Sequence, residues 1–154
     1  LPIGVLTADC VPLLLFENNR KMIAAIHAGW KGALKGIINN VVNFMLKKGC
    51  KRKFINVAIG PCINIENYEV KKDFKNKFIR NNSKSRIFFK EKSKKIYFNL
   101  PHYVKSELEK NRIKNIDMLN IDTFNKKNNF FSARRSRNLG LNDYGRNISI
   151  IMIN

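Results

Sequence analysis

"TADCVPLLLFENNRKMIAAIHAGW", Thr7 to Trp30, decides how the chain begins to fold, because it sets one cysteine, Cys10, and one histidine, His27, at the two ends of a candidate hairpin. Val11–Phe16 and Met22–His27 are short apolar runs, rich in the branched side chains that suit strands. Between them stands the polar "ENNR", Glu17 to Arg20. A two-residue hairpin loop needs positive φ at both central positions, which Asn tolerates better than most residues. With Asn18 and Asn19 as that loop, Glu17 faces Arg20 as an opposite-charge cross-strand pair. The same register sets Cys10 directly opposite His27, with Cα atoms ~5 Å apart. Two chemistries fit that pairing: a zinc chelate through sulfur and imidazole nitrogen, or a thiolate–imidazolium pair. A buried core cysteine beside an unrelated strand-end histidine is the plain alternative. A three- or four-residue loop would displace the register and loosen the contact or change its face.

Outward from the hairpin, Ile3–Thr7 reads as a strand. Trp30–Lys48 reads as one helix, its apolar residues Ala33, Leu34, Ile37, Ile38, Val41, Val42, Phe44 and Met45 recurring three and four apart, with Gly49 as its stop. Phe54–Ile59 is expected to be a strand running into the turn Gly60–Cys62, and Lys71–Ile79 a short helix. Asn81–Ser85 reads as a loop, with Arg86–Phe89 and Ile96–Asn99 as strands around a lysine-rich connection. A helix should start at Pro101, where proline is tolerated in the first turn, and end near Arg112. Met118–Ile121 and Ile148–Ile153 complete the strands. The mixture of hairpins and crossovers predicts a single α/β domain, an α+β sandwich-like arrangement with a mixed sheet covered by helices.

Composition narrows the partners. The chain has 154 residues, 44% of them hydrophobic, enough for one real core. Its formal charge of +19 raises the question of nucleic acid. The lysines are nevertheless scattered, and no finger, RNP-like or basic-zipper motif is present, so no specific nucleic-acid partner is expected. No apolar run has the roughly 18–20 residues that a membrane-spanning helix needs. Three cysteines without regular spacing argue against a disulfide framework and for a reducing, cytoplasmic setting.

Four ordered blocks carry a resemblance: "TADC-x-PLLLF", "AAIHAGWKG", "IGPCI-x-x-x-x-YEV" and "FFSARRS…DYGR". Together they resemble the YfiH family, also called laccase-domain or multicopper-polyphenol-oxidase-like proteins and assigned as zinc-dependent purine nucleoside phosphorylases. The resemblance implies phosphorolysis of adenosine, inosine, guanosine and methylthioadenosine, with adenosine deamination as a second activity. It implies a zinc held by one cysteine and two histidines, here Cys10 and His27. The third ligand, a histidine, is expected upstream of Leu1, so the chain is expected to be an N-terminally incomplete form of the domain.

A catalytic zinc with three protein ligands keeps one position open for water or substrate. Copper is not expected, because multicopper chemistry draws on many histidines and this chain has two. His102, the other one, matches no ligand block and is assigned to surface or capping duty.

Phosphate and nucleoside oxygens call for guanidinium forks. Arg134, Arg135 and Arg146 sit in the family blocks, and Lys31 follows Trp30 near a helix start. Arg135, Arg146 and Lys31 are the candidate substrate-binding residues. Asp9 is a candidate to orient His27 or to cap a turn, and Cys62 a buried turn cysteine near the site. A metal-free Cys–His hydrolase or amidase that edits peptidoglycan precursors is the competing reading of the same pair.

Overall fold

A computed structural model describes residues 1–154. The strands are β1 (Ile3–Thr7), β2 (Val11–Glu17), β3 (Met22–Ala28), β4 (Ile55–Ile59), β5 (Glu69–Val70), β6 (Phe89–Lys92), β7 (Lys95–Phe98), β8 (Asn115–Met118) and β9 (Asn147–Ile151). The helices are α1 (Trp30–Leu34), α2 (Ile37–Lys47), α3 (Lys72–Asn81), α4 (Leu100–Lys110) and α5 (Ala133–Asn138). The strands form a four-stranded sheet in the order β3-β2-β4-β8, a β1-β9 ribbon and a three-stranded sheet β5-β7-β6. Within the largest sheet, β4 and β8 run parallel and the other pairs antiparallel. The expected mixed sheet covered by helices is therefore present, accompanied by two smaller sheets.

The β2–β3 hairpin does not turn at Asn18–Asn19. Glu17 pairs with Met22 and Pro12 with His27, leaving a four-residue loop from Asn18 to Lys21. Side chains alternate faces with a period of two, so a displacement by two residues keeps every side chain on its expected face. The Glu17 carboxylate is fully buried and accepts hydrogen bonds from the backbone N–H of Arg20 at 2.6 Å and of Lys51 at 3.2 Å. Glu17 thus holds the loop by accepting main-chain donors, a stronger use of its charge than the expected surface pair. These donors, Arg20's above all, hold its carboxyl below the ordinary carboxylate range. The two-residue turn occurs elsewhere: Ser93 and Lys94, with φ of 50° and 63°, join β6 to β7.

The expected helix Trp30–Lys48 is broken after Leu34. Gly36 adopts φ 81°, a left-handed conformation in which the N–H(i)→O(i−4) ladder does not continue, and α2 starts afresh at Ile37. The apolar periodicity runs through the break, which hides it from pattern reading. Arg86–Phe89 is also not a strand. Asn82 accepts the Lys84 N–H and opens a 3₁₀ stretch from Ser83 to Phe88, so that β6 starts only at Phe89. The strand expected over Met118–Ile121 lies three residues earlier, beside β4, where Ile116 and Met118 pack on the core. Pro101 does open α4, behind Asn99, whose side chain accepts the His102 N–H.

The core is one continuous cluster with an aliphatic and an aromatic part. Val11, Leu13 and Leu15 of β2 and Ile55 and Ile59 of β4 are buried with Ile38, Val42 and Met45 of α2 and Val104 and Leu108 of α4. Each such side chain contributes about 1.5–3 kcal/mol of burial. The second part is aromatic. Phe78 lies 4.5 Å from Phe98 and 5.0 Å from Tyr103 between ring centroids, and Phe89 lies 4.7 Å from Phe98. Phe74 extends this cluster to Trp30 at 4.9 Å. That last contact brings the aromatic core to the end of β3, where the site begins. No helix is long and apolar enough to cross a membrane.

Candidate functional site

Cys10 and His27 meet over Gly29. A Cβ at Gly29 would lie 3.0 Å from Cys10 Sγ and 3.7 Å from His27 Nε2, so both donor atoms border the space a larger residue would fill. The hairpin register explains this. Pro12 is the direct partner of His27, and Cys10 lies two residues further along the same face, a diagonal neighbour rather than an opposed one. His27 is exposed and Cys10 half-buried.

Asp9 sets the position of Cys10. It has φ 82°, a left-handed conformation uncommon outside glycine, and its carboxylate accepts from Thr123 Oγ1 at 2.8 Å and from the Arg134 N–H at 2.6 Å. Of its two candidate duties, capping is the one observed: it satisfies a free donor in the first turn of α5, beside the N-cap Ser132. Burial, then the charge of Asp9, pushes the Cys10 thiol up to about 11, with Arg137 opposing them.

Cys10 opens onto a cleft of about 800 Å³. One wall carries Trp30, Tyr68 and Phe74; another carries Arg134, Arg137 and Asn138 of α5; Lys71, Asp73 and Lys77 stand at α3 and its start. Tyr68 has its hydroxyl pushed well up, by burial first and by the neighbouring Cys10. The Arg134 guanidinium lies 5.3 Å from the Tyr68 ring and donates to the Glu69 carbonyl at 2.8 Å. An aromatic wall facing cations suits a flat heterocycle joined to anionic or hydroxylated groups.

The three substrate-binding candidates stand outside the cleft lining. The Arg135 guanidinium donates to the carbonyls of Thr123, Phe124 and Phe130 at 2.8, 2.9 and 2.5 Å, tying α5 to the preceding loop. Arg146 donates to the Tyr144 carbonyl, lies 3.6 Å from Asp143 and stacks 4.3 Å from the Tyr144 ring. Lys31 is exposed, 5.5 Å from the Trp30 ring. Cys62 is buried, bridged through its backbone to Asp122, and its thiol is pushed up to about 12 by burial. His102 is exposed, with Nδ1 3.0 Å from the N-cap oxygen of Asn99.

Sequence reading missed Tyr68 and Arg137. Tyr68 lies in the quoted "YEV" block and was open to recognition; Arg137 follows no pattern that singles it out from thirty lysines and arginines.

As zinc donors, a sulfur and an imidazole nitrogen are the right types, and their convergence on Gly29 fits two of the positions. No third His, Cys, Asp or Glu of the chain joins them to form a complete set. The chain alone therefore supplies an incomplete ligand set of the correct chemistry.

A mixed α/β fold with a Cys–His pair over Gly29, of which Cys10 lines an aromatic and cationic cleft and His27 does not, defines a class, and comparison with known proteins gives it a name. The chain belongs to the family described as multi-copper polyphenol oxidoreductase laccase, whose model matches residues 1–154. It is 35% identical to a purine nucleoside phosphorylase of Rickettsia prowazekii over 88% of this chain and 57% of that protein. It is 36% identical to one of Rickettsia conorii, over 90% of this chain and 58% of that protein. The crystal structure of the Bacillus licheniformis protein YfiH superposes with a TM-score of 0.85 at 28% identity, over 97% of this chain and 57% of that one. A Neisseria meningitidis protein gives 0.84 at 25%, over 97% and 59%. The chain thus spans somewhat more than half the length of the relatives it matches.

Proposed function

We propose that this chain is the Cys–His half of a zinc-dependent purine nucleoside phosphorylase. The observation that carries the reading is the convergence of Cys10 Sγ and His27 Nε2 on Gly29, with Cys10 also lining the aromatic cleft. The names of its relatives, purine nucleoside phosphorylases in Rickettsia and Aquifex aeolicus, support the activity. The proposed substrates are adenosine, inosine, guanosine and methylthioadenosine with inorganic phosphate, and adenosine deamination is the proposed second activity. The proposed setting is the cytoplasm, where the three cysteines stay free, as they are here.

Cys10 and His27 would hold the zinc, with a histidine outside residues 1–154 as third ligand. When bound, the metal supplies Lewis acidity and an activated water. The chain's own residues account for binding. Trp30, Phe74 and Tyr68 would offer ring surface to the purine, and Asp73 brings an acceptor carboxylate to the same cleft. In phosphorolysis a phosphate oxygen bonds to C1′ as the C1′–N9 bond breaks, and the electron pair leaves with the base, which takes up a proton. Positive charge in the cleft stabilises phosphate in that exchange.

The competing hydrolase needs a thiolate without metal. A thiol pushed up to about 11 is protonated at neutral pH, which opposes that role.

The test is phosphate-dependent release of hypoxanthine from inosine by the full-length protein. Cys10→Ala and His27→Ala should each abolish it, with zinc content falling in parallel. Turnover that survives either substitution would overturn the proposal.

A further inference from the structure

The cations around the cleft are not equivalent. Of the arginines in α5, Arg135 has its guanidinium taken up by three carbonyls. Arg134 donates to one carbonyl and stacks on Tyr68. Arg137 lines the cleft with its guanidinium in no hydrogen bond or ion pair, 6.0 Å from the Tyr144 ring. Lys71, just before α3, and Lys77, on α3, also line the cleft without ion pairs, and the Lys77 Nζ lies 5.6 Å from the Trp30 ring.

None of the cleft's carboxylates forms an ion pair with Arg137 or Lys77. Asp9 is engaged by Thr123 and by the Arg134 N–H, and Glu69 is paired with Lys95 at 2.9 Å. Asp73 alone has no partner, and it lies on α3 beside Lys77 rather than on α5. A guanidinium with all five donors unbonded, on a residue that lines a cleft with an aromatic wall, can take a doubly accepting anion.

We propose that Arg137, assisted by Lys77 from α3, is the seat for the anionic co-substrate, inorganic phosphate, in the cleft beside Cys10. The naming of phosphate rests on the phosphorylase reading; the anion seat itself rests on the arrangement of the cations. It shifts anion binding away from Arg135 and Arg146, two of the three arginines in the motif blocks, to a residue no block marks, beside the third, Arg134, which also lines the cleft.

The experiment uses the full-length protein and inorganic phosphate, titrated calorimetrically without nucleoside and then varied in steady-state phosphorolysis of inosine. Arg137→Gln should raise both the phosphate Kd and the phosphate KM about tenfold, the scale of one lost charge-assisted fork. The inosine KM should move less than about twofold, and thermal melting should stay in place, since the side chain is exposed and unpartnered. Arg137→Lys should recover part of the loss by restoring charge without the fork. Lys77→Gln should give a smaller rise of about threefold, and Arg112→Gln, just past the C-terminal end of α4 and outside the cleft lining, none.

An unchanged phosphate Kd in Arg137→Gln, or a wild-type protein that binds no phosphate, overturns the seat. If phosphorolysis persists while Arg137→Gln keeps its phosphate KM, the seat falls and the phosphorylase reading stands. If the wild type binds phosphate through Arg137 but releases no base, the activity falls and the seat stands.

Discussion

Cys10 Sγ and His27 Nε2 approach Gly29 closely enough that its missing methyl group is what keeps the space between them open. Gly29 has φ −73° and ψ 162°, values any residue adopts, so substitution there changes space and not backbone. Gly29→Ala should weaken zinc binding by tenfold or more, measured by competition with a chromophoric chelator. The cost in folding stability should stay below about 1 kcal/mol. Unaltered zinc affinity would show that the two side chains do not share an ion.

A second glycine is held by contact rather than by conformation. A Cβ at Gly145 would lie 2.4 Å from the Phe131 ring, while Asn147 and Phe131 exchange two hydrogen bonds at 2.8 and 2.9 Å. Gly145→Ala should destabilise the fold by about 1 kcal/mol, the low end of overpacking, because the Phe131 ring it meets is exposed and can turn aside. Combining it with Phe131→Ala should relieve most of that loss, a coupling that a double-mutant cycle in urea reads directly.

Glu17 makes an acid-sensitive clamp. Its carboxyl lies below the ordinary range in the folded chain because the Arg20 and Lys51 N–H groups bond its charged form. A depressed folded value means that this contribution is present above the unfolded carboxylate value and is lost as pH falls through the folded one. Glu17→Gln should therefore flatten the acid limb of a plot of urea midpoint against pH. An identical limb in the variant would assign acid sensitivity to other carboxylates.

Cys10 offers a reactivity measurement. A shift from 9.0 to about 11 leaves roughly a hundredfold less thiolate near neutral pH. The higher intrinsic nucleophilicity of such a thiolate returns about a factor of ten. Alkylation of Cys10 in metal-free protein should then run about tenfold slower than in the urea-unfolded chain, followed by peptide mass spectrometry. A faster rate in the folded protein would favour a nucleophilic cysteine.

Much of this was legible from residues alone. The faces of β2 and β3 follow from alternation, so Cys10 and His27 share a face although the loop is longer than the two asparagines suggest. Loop length was not legible, because the choice depends on Glu17 finding the Lys51 N–H, a partner 34 residues away. The Gly36 break was hidden by an apolar stripe that serves α1 and α2 equally. In α5, "ARRSRN" has no apolar period to announce a helix; Ser132 at its N-cap was the one local signal. The roles of Arg134, Arg135 and Arg137 separate only through contacts with Glu69, Thr123 and Phe130, which three basic letters within four residues do not disclose.

The bonds of Asp9 to Thr123 and Arg134 close loops of 114 and 125 residues. A ribosome therefore delivers Cys10 long before the partners that fix its neighbour exist. Until α5 has been synthesised and docked, the nascent chain carries this thiol on an untethered turn, and the geometry around Cys10 matures only after α5 has emerged.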